Sequence, residues 1–474
     1  MNFIKLKFDK KARFVCSKSF LFFFSMAFVI CFSDSAAAFD IHSYFALPEY
    51  PIAVKKPDWA TASRQLKIGY SVEEIFREWK DGVETSRFDG SRTKTSLRYN
   101  INGEFGINYS WQPSGDQKWF TNDSSKSDPF NLSCSEEFSE YSLSRFNRGL
   151  TVEAGRISTN NIFDGIFSLN EDIVAALGNN PGIRFENPLQ ADRLRIFSEG
   201  KDADFLFSFV KGEIESKIET SGIRMELEVP LKRLYREIEC ELAFKGRKCV
   251  PYLRYSRFRT SGSGESTKNS KFIFGSSEIE FERSALSAGL AFHGKQDFFL
   301  ELSRRKLLGN IYLANNLITL DPLFLFGTNE VRSTINIPQT ESFSEFRLGS
   351  TFRFMHRIDS DFQYGFSRLD LSNELTDEKI YNFRKKTQAV LTRRNHVYDL
   401  HRITLGLTRK DAHGYWKMAP SLIIPTEVSK DKEETELGSS QSGGSSGTSS
   451  GAGDKTSSKI RGGWQVLIER AYNF

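Results

Sequence analysis

Apolar side chains recur at every second position through most of this chain. Leu66, Ile68, Tyr70 and Val72 alternate with Lys67, Gly69 and Ser71, and Leu97, Tyr99 and Ile101 alternate with Arg98 and Asn100. After Asn102-Gly103 the pattern resumes at Phe105, Ile107, Tyr109 and Trp111. Further sets follow at Leu150, Val152 and Ala154; Phe205, Phe207 and Phe209; Ile223, Met225, Leu227 and Val229; and Leu286, Ala288, Leu290 and Phe292. The last sets are Phe346, Leu348, Phe352 and Phe354; Ile403, Leu405 and Leu407; and Pro420, Leu422 and Ile424. Successive side chains of a strand point to opposite faces, so each segment reads as a strand with one apolar and one polar face. Asn-Gly is a two-residue hairpin turn, because both positions tolerate positive φ. No segment beyond residue 38 approaches 18 uninterrupted apolar residues, so no membrane-spanning helix is expected.

The two ends of the chain sharpen this reading. Lys5, Lys7, Lys10, Lys11, Arg13 and Lys18 precede an apolar run over residues 20–32, and Ser35-Ala36-Ala37-Ala38 supplies small residues for cleavage. That is the layout of a secretory signal peptide over residues 1–38; the apolar run is too short to span a bilayer. At the other end, Trp464, Val466, Ile468, Tyr472 and Phe474 share one parity, broken only by Arg470. An exported chain ending in such a strand resembles the Gram-negative outer-membrane β-barrels, porin-like in type. Gly155-Arg156, Phe163 and Asn180-Pro181 add a faint similarity to carbohydrate-selective porins, too slight to assign that family. The resemblance implies that Tyr472 and Phe474 carry the signal read by the barrel-assembly machinery. It also implies an outer-membrane location in contact with lipid and lipopolysaccharide, and assembly as a homotrimer.

Within that frame the expected fold is all-β: a transmembrane antiparallel barrel of 16 to 18 strands over residues 65–474. Residues 39–64, with Pro48, Pro51 and Pro57, read as an irregular periplasmic lead-in, and no room is left for a separate plug domain. Short connections at 102–103, 147–149, 199–203, 355–360 and 409–414 alternate with long ones at 80–91, 113–135, 158–190, 371–397 and 427–462. This matches the short periplasmic turns and long extracellular loops of such barrels. The Gly/Ser-rich centre of 427–462 lacks the apolar surface to fold and reads as a disordered extracellular loop. The stretches 231–250 and 305–342 resist parsing.

Charge follows parity. Lys67, Arg98, Arg193, Arg195, Arg224, Arg347, Arg353 and Arg402 alternate against apolar neighbours and are expected to face the lumen. Glu104, Glu226, Glu278, Glu280, Glu345 and Glu469 are assigned there with them. Arg or Lys facing lipid at mid-bilayer would cost about 2–4 kcal/mol. These charges read equally as a network stiffening the wall or as selectivity groups. Arg470 is expected to snorkel to the periplasmic interface. The loop 158–190 is the candidate constriction, with Asp164, Glu171, Asp172, Arg184 and Glu186 set against strand arginines to give a transverse field.

Other features bound the chemistry. A net charge of +5 over 474 residues argues against a dedicated nucleic-acid binder. Aromatics make up 14% of the chain, with 43 Phe, an excess suited to lipid-facing strands and interfacial girdles. Cys16 and Cys31 leave with the signal; Cys240 and Cys249, nine apart across Gly246, read either as a disulfide or as free thiols, and Cys134 as single. No metal-ligand spacing, phosphate loop or nucleophile elbow occurs, so neither metal nor cofactor is expected. His396 and His401, with Asp399 between them, form the only histidine cluster. The reading is a non-enzymatic channel for small hydrophilic solutes. A barrel for export or assembly of a surface polymer or protein is the second reading, and an outer-membrane hydrolase the third.

Overall fold

The computed structural model describes residues 50–473, except 62–65, 124–129, 161–181, 266–272, 321–327, 382–385, 440–453 and breaks of one or two residues elsewhere. The signal peptide, Phe474, Asp164, Glu171, Asp172 and Arg224 fall outside the described residues. Among them run β1 (Lys67–Asp81), β2 (Glu84–Ile101), β3 (Phe105–Gln112), β4 (Gly115–Asp123), β5 (Phe130–Ser135), β6 (Phe138–Asn147) and β7 (Leu150–Thr159). Then come β8 (Gly182–Glu186), β9 (Leu189–Glu199), β10 (Ala203–Gly222), β11 (Met225–Phe244), β12 (Cys249–Glu265), β13 (Ile273–Phe292) and β14 (Asp297–Leu320). The chain ends with β15 (Thr328–Met355), β16 (Ile358–Tyr381), β17 (Lys386–Asp411), β18 (Gly414–Ser439), β19 (Asp454–Thr456) and β20 (Lys459–Asn473).

These segments make one closed antiparallel wall of 16 strands. β4 and β5 carry the line of β3 and β6 onward, β8 joins β10 beside β9, and β19 pairs only with β18. Closure comes from β20 against β1, from Lys67 opposite Asn473 to Lys80 opposite Lys459. Once closed, the sheet has no free edge, the condition a β-structure must meet in lipid.

The two faces separate as the dyad period requires. Tyr70, Leu97, Tyr99, Ile107, Trp111, Leu143, Leu405, Trp416, Met418, Leu422, Trp464 and Ile468 are exposed on the outside. Arg470 shares that outer face. Its guanidinium lies over Trp416 (5.0 Å) and Tyr472 (4.4 Å) and pairs with Asp411 at 2.5 Å. Asp411 ends β17 at the short-turn mouth, so the charge reaches the rim while its stem stays among aromatics. Turns at that mouth are tight. Gly103 (φ 73°) follows Asn102, and Arg148 (φ 29°) and Gly149 (φ 88°) join β6 to β7, conformations that favour glycine.

The opposite end differs from the loop pattern read from sequence. β1 runs to Asp81 and β2 from Glu84, which stand opposite each other, and β16 and β17 run to Tyr381 and from Lys386. Much of what reads as loop at 80–91 and 371–397 is therefore ladder. Of 427–462, residues 427–439 continue β18 against β17, and 440–453 lie outside the described residues. β15 is 28 residues long and β17 and β18 are 26 each, whereas a spanning strand needs about 9–11. The wall overshoots the apolar belt. Beyond the belt neither face must be greasy, so the alternation fades and the residues resemble loop. This also explains 305–342, which hold parts of β14 and β15, whereas 231–250 hold the short-turn half of β11 and the start of β12.

Polarity reverses in that extension. On β13 the outward row runs Phe292, Leu290, Ala288 and Leu286 and then reaches Glu282, Glu280 and Glu278, while Ile279 and Phe281 are fully buried on the inner side. Arg257 pairs with Glu282 at 2.7 Å and Arg259 with Glu280 at 2.8 Å on the outside. Glu278 and Glu280 therefore do not face the lumen as assigned. They share the parity of the greasy row on an unbroken strand, and above the belt an outward charge meets water.

Candidate functional site

Of the lead-in, residues 50–61 are described. Residues 50–61 form a strap inside the wall near the short-turn mouth. Its course is set locally: Val54 N and Lys55 N donate to Pro51 O at 2.8 and 3.0 Å, and Ala60 N donates to Pro57 O at 3.0 Å, closing the short 3₁₀ turn Asp58–Ala60. Prolines fix φ at both turns and remove donors that would otherwise need partners.

Apolar contacts hold the strap to one side of the barrel. Ile52, Ala53 and Ala60 pack with Phe197, Leu206, Ala243, Val250, Tyr252, Ala291 and Phe299 from β9 to β14. Tyr50 meets the Phe299 ring edge-on at 5.7 Å, and Trp59 lies under the Arg195 guanidinium at 4.7 Å. Polar bonds then fix the register: Ile52 N donates to Glu241 Oε1 at 2.6 Å, Arg98 Nη2 donates to Thr61 O at 2.6 Å, and Lys56 pairs with Glu199. Burial pushes the Tyr50 hydroxyl well above its ordinary phenol value, with Asp361 adding to the effect.

Between the strap and the other side of the wall lies a cavity of about 740 Å³. Its lining is charged: Lys55 from the strap, Lys67, Lys94, Arg98, Arg195, Lys410 and Lys417 from the wall, and Glu140, Asp359, Asp361 and Glu469. Lys410 donates to Asp359 at 2.6 Å, and Tyr415 Oη donates to Glu469 at 2.5 Å.

The arginines read from parity sit inside the wall mostly within ion pairs. Arg193 and Arg195 both engage Glu140 and Glu153, and Glu153, only 1% exposed, also accepts from Asn108 Nδ2 (3.0 Å) and Ser144 Oγ (3.2 Å). Arg347 meets Glu301 at 2.7 Å, Arg402 meets Glu345 at 2.9 Å, and Arg353 approaches Asp359 at 3.7 Å. Arg98 anchors the strap, and Lys67 lines the cavity. Glu226 lies on β11, its side chain outside the described residues. Arg184 and Glu186, grouped as loop residues, are on β8, opposite Glu219 and Lys217 of β10.

The geometry also places the cysteines and the histidine cluster. No disulfide joins Cys240 and Cys249: the register sets Cys240 opposite Tyr255, six residues along β12 from Cys249. At about 3.3 Å per residue that is roughly 20 Å. Disulfide Cα atoms lie within about 7 Å. His401 shares a 2.6 Å hydrogen bond with Tyr364 Oη on the outer face, its ring 5.0 Å from that of Phe366. Asp399 lies near Arg368 at 3.6 Å. Among the described residues no group of three or more metal-ligating side chains occurs.

Sequence reasoning missed the strap, and with it Lys55, Lys94, Lys417 and Asp361 as lining groups. One signal was present: Ile52-Ala53-Val54 and Trp59-Ala60 are apolar residues without alternation, which a segment surrounded by water has no reason to carry.

A wall closed on itself, greasy outside and charged within, decides the class. The chain is a closed antiparallel β-barrel of the membrane-spanning kind. No family model and no curated protein matches it. Similar solved structures include OmpT of Vibrio cholerae in its trimer form (9% identity, TM-score 0.32, 86% of this chain and 98% of that one). An anion-selective porin from Comamonas acidovorans shows 10% identity and a TM-score of 0.33 over 86% of this chain and 99% of that one. The ferric citrate transporter FecA shows 8% identity and a TM-score of 0.35 over 87% and 79%. At such values the classification rests on this wall, not on those neighbours.

Proposed function

We propose that this barrel is a channel for passive diffusion of small hydrophilic solutes, delivered to the outer membrane by cleavage of residues 1–38. The observation that carries the reading is the cavity beside the strap: about 740 Å³ of space inside a closed wall, lined by lysines, arginine and carboxylates. An apolar ligand would find few partners there, whereas a hydrated solute exchanges water for charged and polar groups at little cost. In this reading the narrowing is formed by the strap, and the wall ion pairs serve rigidity.

A second reading has one observation in its favour. Strands two to three times the spanning length carry the wall beyond the belt, which suits a platform for export or assembly of a surface polymer or protein. Planar-bilayer recordings separate the two. Purified, folded protein is expected to give discrete ohmic steps, with liposome swelling by small sugars but not by larger oligosaccharides. A barrel that inserts and stays electrically closed would overturn the channel reading and leave the platform.

A further inference from the structure

Resting on the channel reading, we propose that the cavity beside the strap is an anion-selective site, and that small carboxylate or inorganic anions are the solutes it favours. Seven basic side chains line it against four acidic ones. Of the carboxylates, Glu140 is held by Arg193 and Arg195, Asp359 by Lys410 and Glu469 by the Tyr415 hydroxyl. Asp361 lines the cavity together with Lys55 and Lys417.

The arrangement of the cations is the stronger point. Lys67 on β1 stands directly opposite Arg98 on β2, and both line the cavity. Like charges directly opposed on neighbouring strands oppose sheet formation. Elsewhere in the same row such a pairing does not recur: Ser71 stands opposite Lys94 and Gly69 opposite Ser96. An anion held beside them is drawn to both charges at once. The strap completes the site from the far side: its Lys55 projects into the same space, and its Thr61 carbonyl accepts from Arg98 and from Asn100 at 3.4 Å, holding the guanidinium at the wall. Low-dielectric walls on both sides of the cavity concentrate this positive field. The strap is thus a specificity element, because it narrows the lumen to the part where cations prevail.

The test is the zero-current potential of the reconstituted barrel across a potassium chloride gradient, recorded with the single-channel steps. The wild-type potential is expected on the anion-selective side. The triple variant Lys55→Glu, Lys67→Glu, Lys417→Glu is expected to move it across zero to the cation-selective side, and the Gln counterparts to bring it close to zero. Inorganic phosphate added at the short-turn side is expected to lower wild-type chloride current and to leave the Glu variant unaffected. Absence of any step in folded wild-type protein overturns the channel reading and this proposal together. Steps with a cation-selective potential, or a potential unmoved by the Glu and Gln substitutions, overturn the proposal and leave the channel intact.

Discussion

If the strap narrows the lumen, dislodging it should widen the passage, and Ile52→Asp is the substitution that dislodges it. Ile52 is 8% exposed among Phe299, Val250 and Leu206, and its own amide donates to Glu241 at 2.6 Å. Losing the buried side chain costs about 1.5–3 kcal/mol. The new carboxylate sits on a residue whose amide already binds a carboxylate, so it adds a like charge with no cation of its own, for a further penalty of several kcal/mol. Even a total of about 3 kcal/mol, at roughly 1.4 kcal/mol per tenfold, lowers the ratio of docked to released strap by more than about 100-fold. Ile52→Val, at about 0.5–1.5 kcal/mol, should leave it mostly docked. Single-channel conductance should rise in Ile52→Asp and not in Ile52→Val, and protease added from the short-turn side should cut near residues 50–61 only in the former. A folded Ile52→Asp barrel with wild-type conductance and no new cleavage would refute the assignment of the strap as the narrowing.

Four further outcomes follow from the same geometry. Arg347→Met should destabilise the barrel by about 3–5 kcal/mol, because Glu301, 4% exposed, is left as an unpaired buried charge; adding Glu301→Gln should recover most of the loss in urea unfolding in micelles. Leu405→Arg, on the outer belt, should cost about 2–4 kcal/mol by the same measurement, whereas Ser110→Arg, which faces the lumen cavity, should cost much less. Cys240 and Cys249 should both react with a maleimide after denaturation without reductant, and mobility should be the same with and without reductant. Burial raises the Tyr50 hydroxyl above its ordinary value of 10, so strap docking should be insensitive to this group below pH 10 and weaken above it, as the released phenol ionises and the docked one does not. Alkaline widening of the pore that persists unchanged in Tyr50→Phe would contradict that sign.

The fold was legible where the chemistry is local. Leu286, Ala288, Leu290 and Phe292 announce their face with no knowledge of a neighbour, because a greasy row against lipid needs only period two. Asn102-Gly103 announces its turn through the dihedral freedom of its own residues. Glu278 and Glu280 show the limit: their parity was available, but their surroundings change along one strand from lipid to water, and no local pattern marks where the bilayer stops.

The site was less legible, for a related reason. Arg193, Arg195, Arg347 and Arg402 could be placed on the inner face from parity. That each is bound to a glutamate on another strand depends on register, which is settled by pairings between segments distant in the chain. Cys240 and Cys249 lie close in sequence but are set apart by the same register.

By itself, then, the order of residues determined that strands form, which face of each is greasy in the spanning belt, and that such strands must curl until no edge is free. Those consequences follow from side-chain alternation and backbone hydrogen bonding, and each acts over a few residues. Only the tertiary structure decided that a proline-bearing segment returns into the lumen, where the amide of Ile52 meets Glu241 across 189 residues, and that the space left over is walled by Lys55, Lys67 and Lys417. Contacts of that range depend on the closed diameter and the register of the whole wall, quantities that no single stretch of sequence carries.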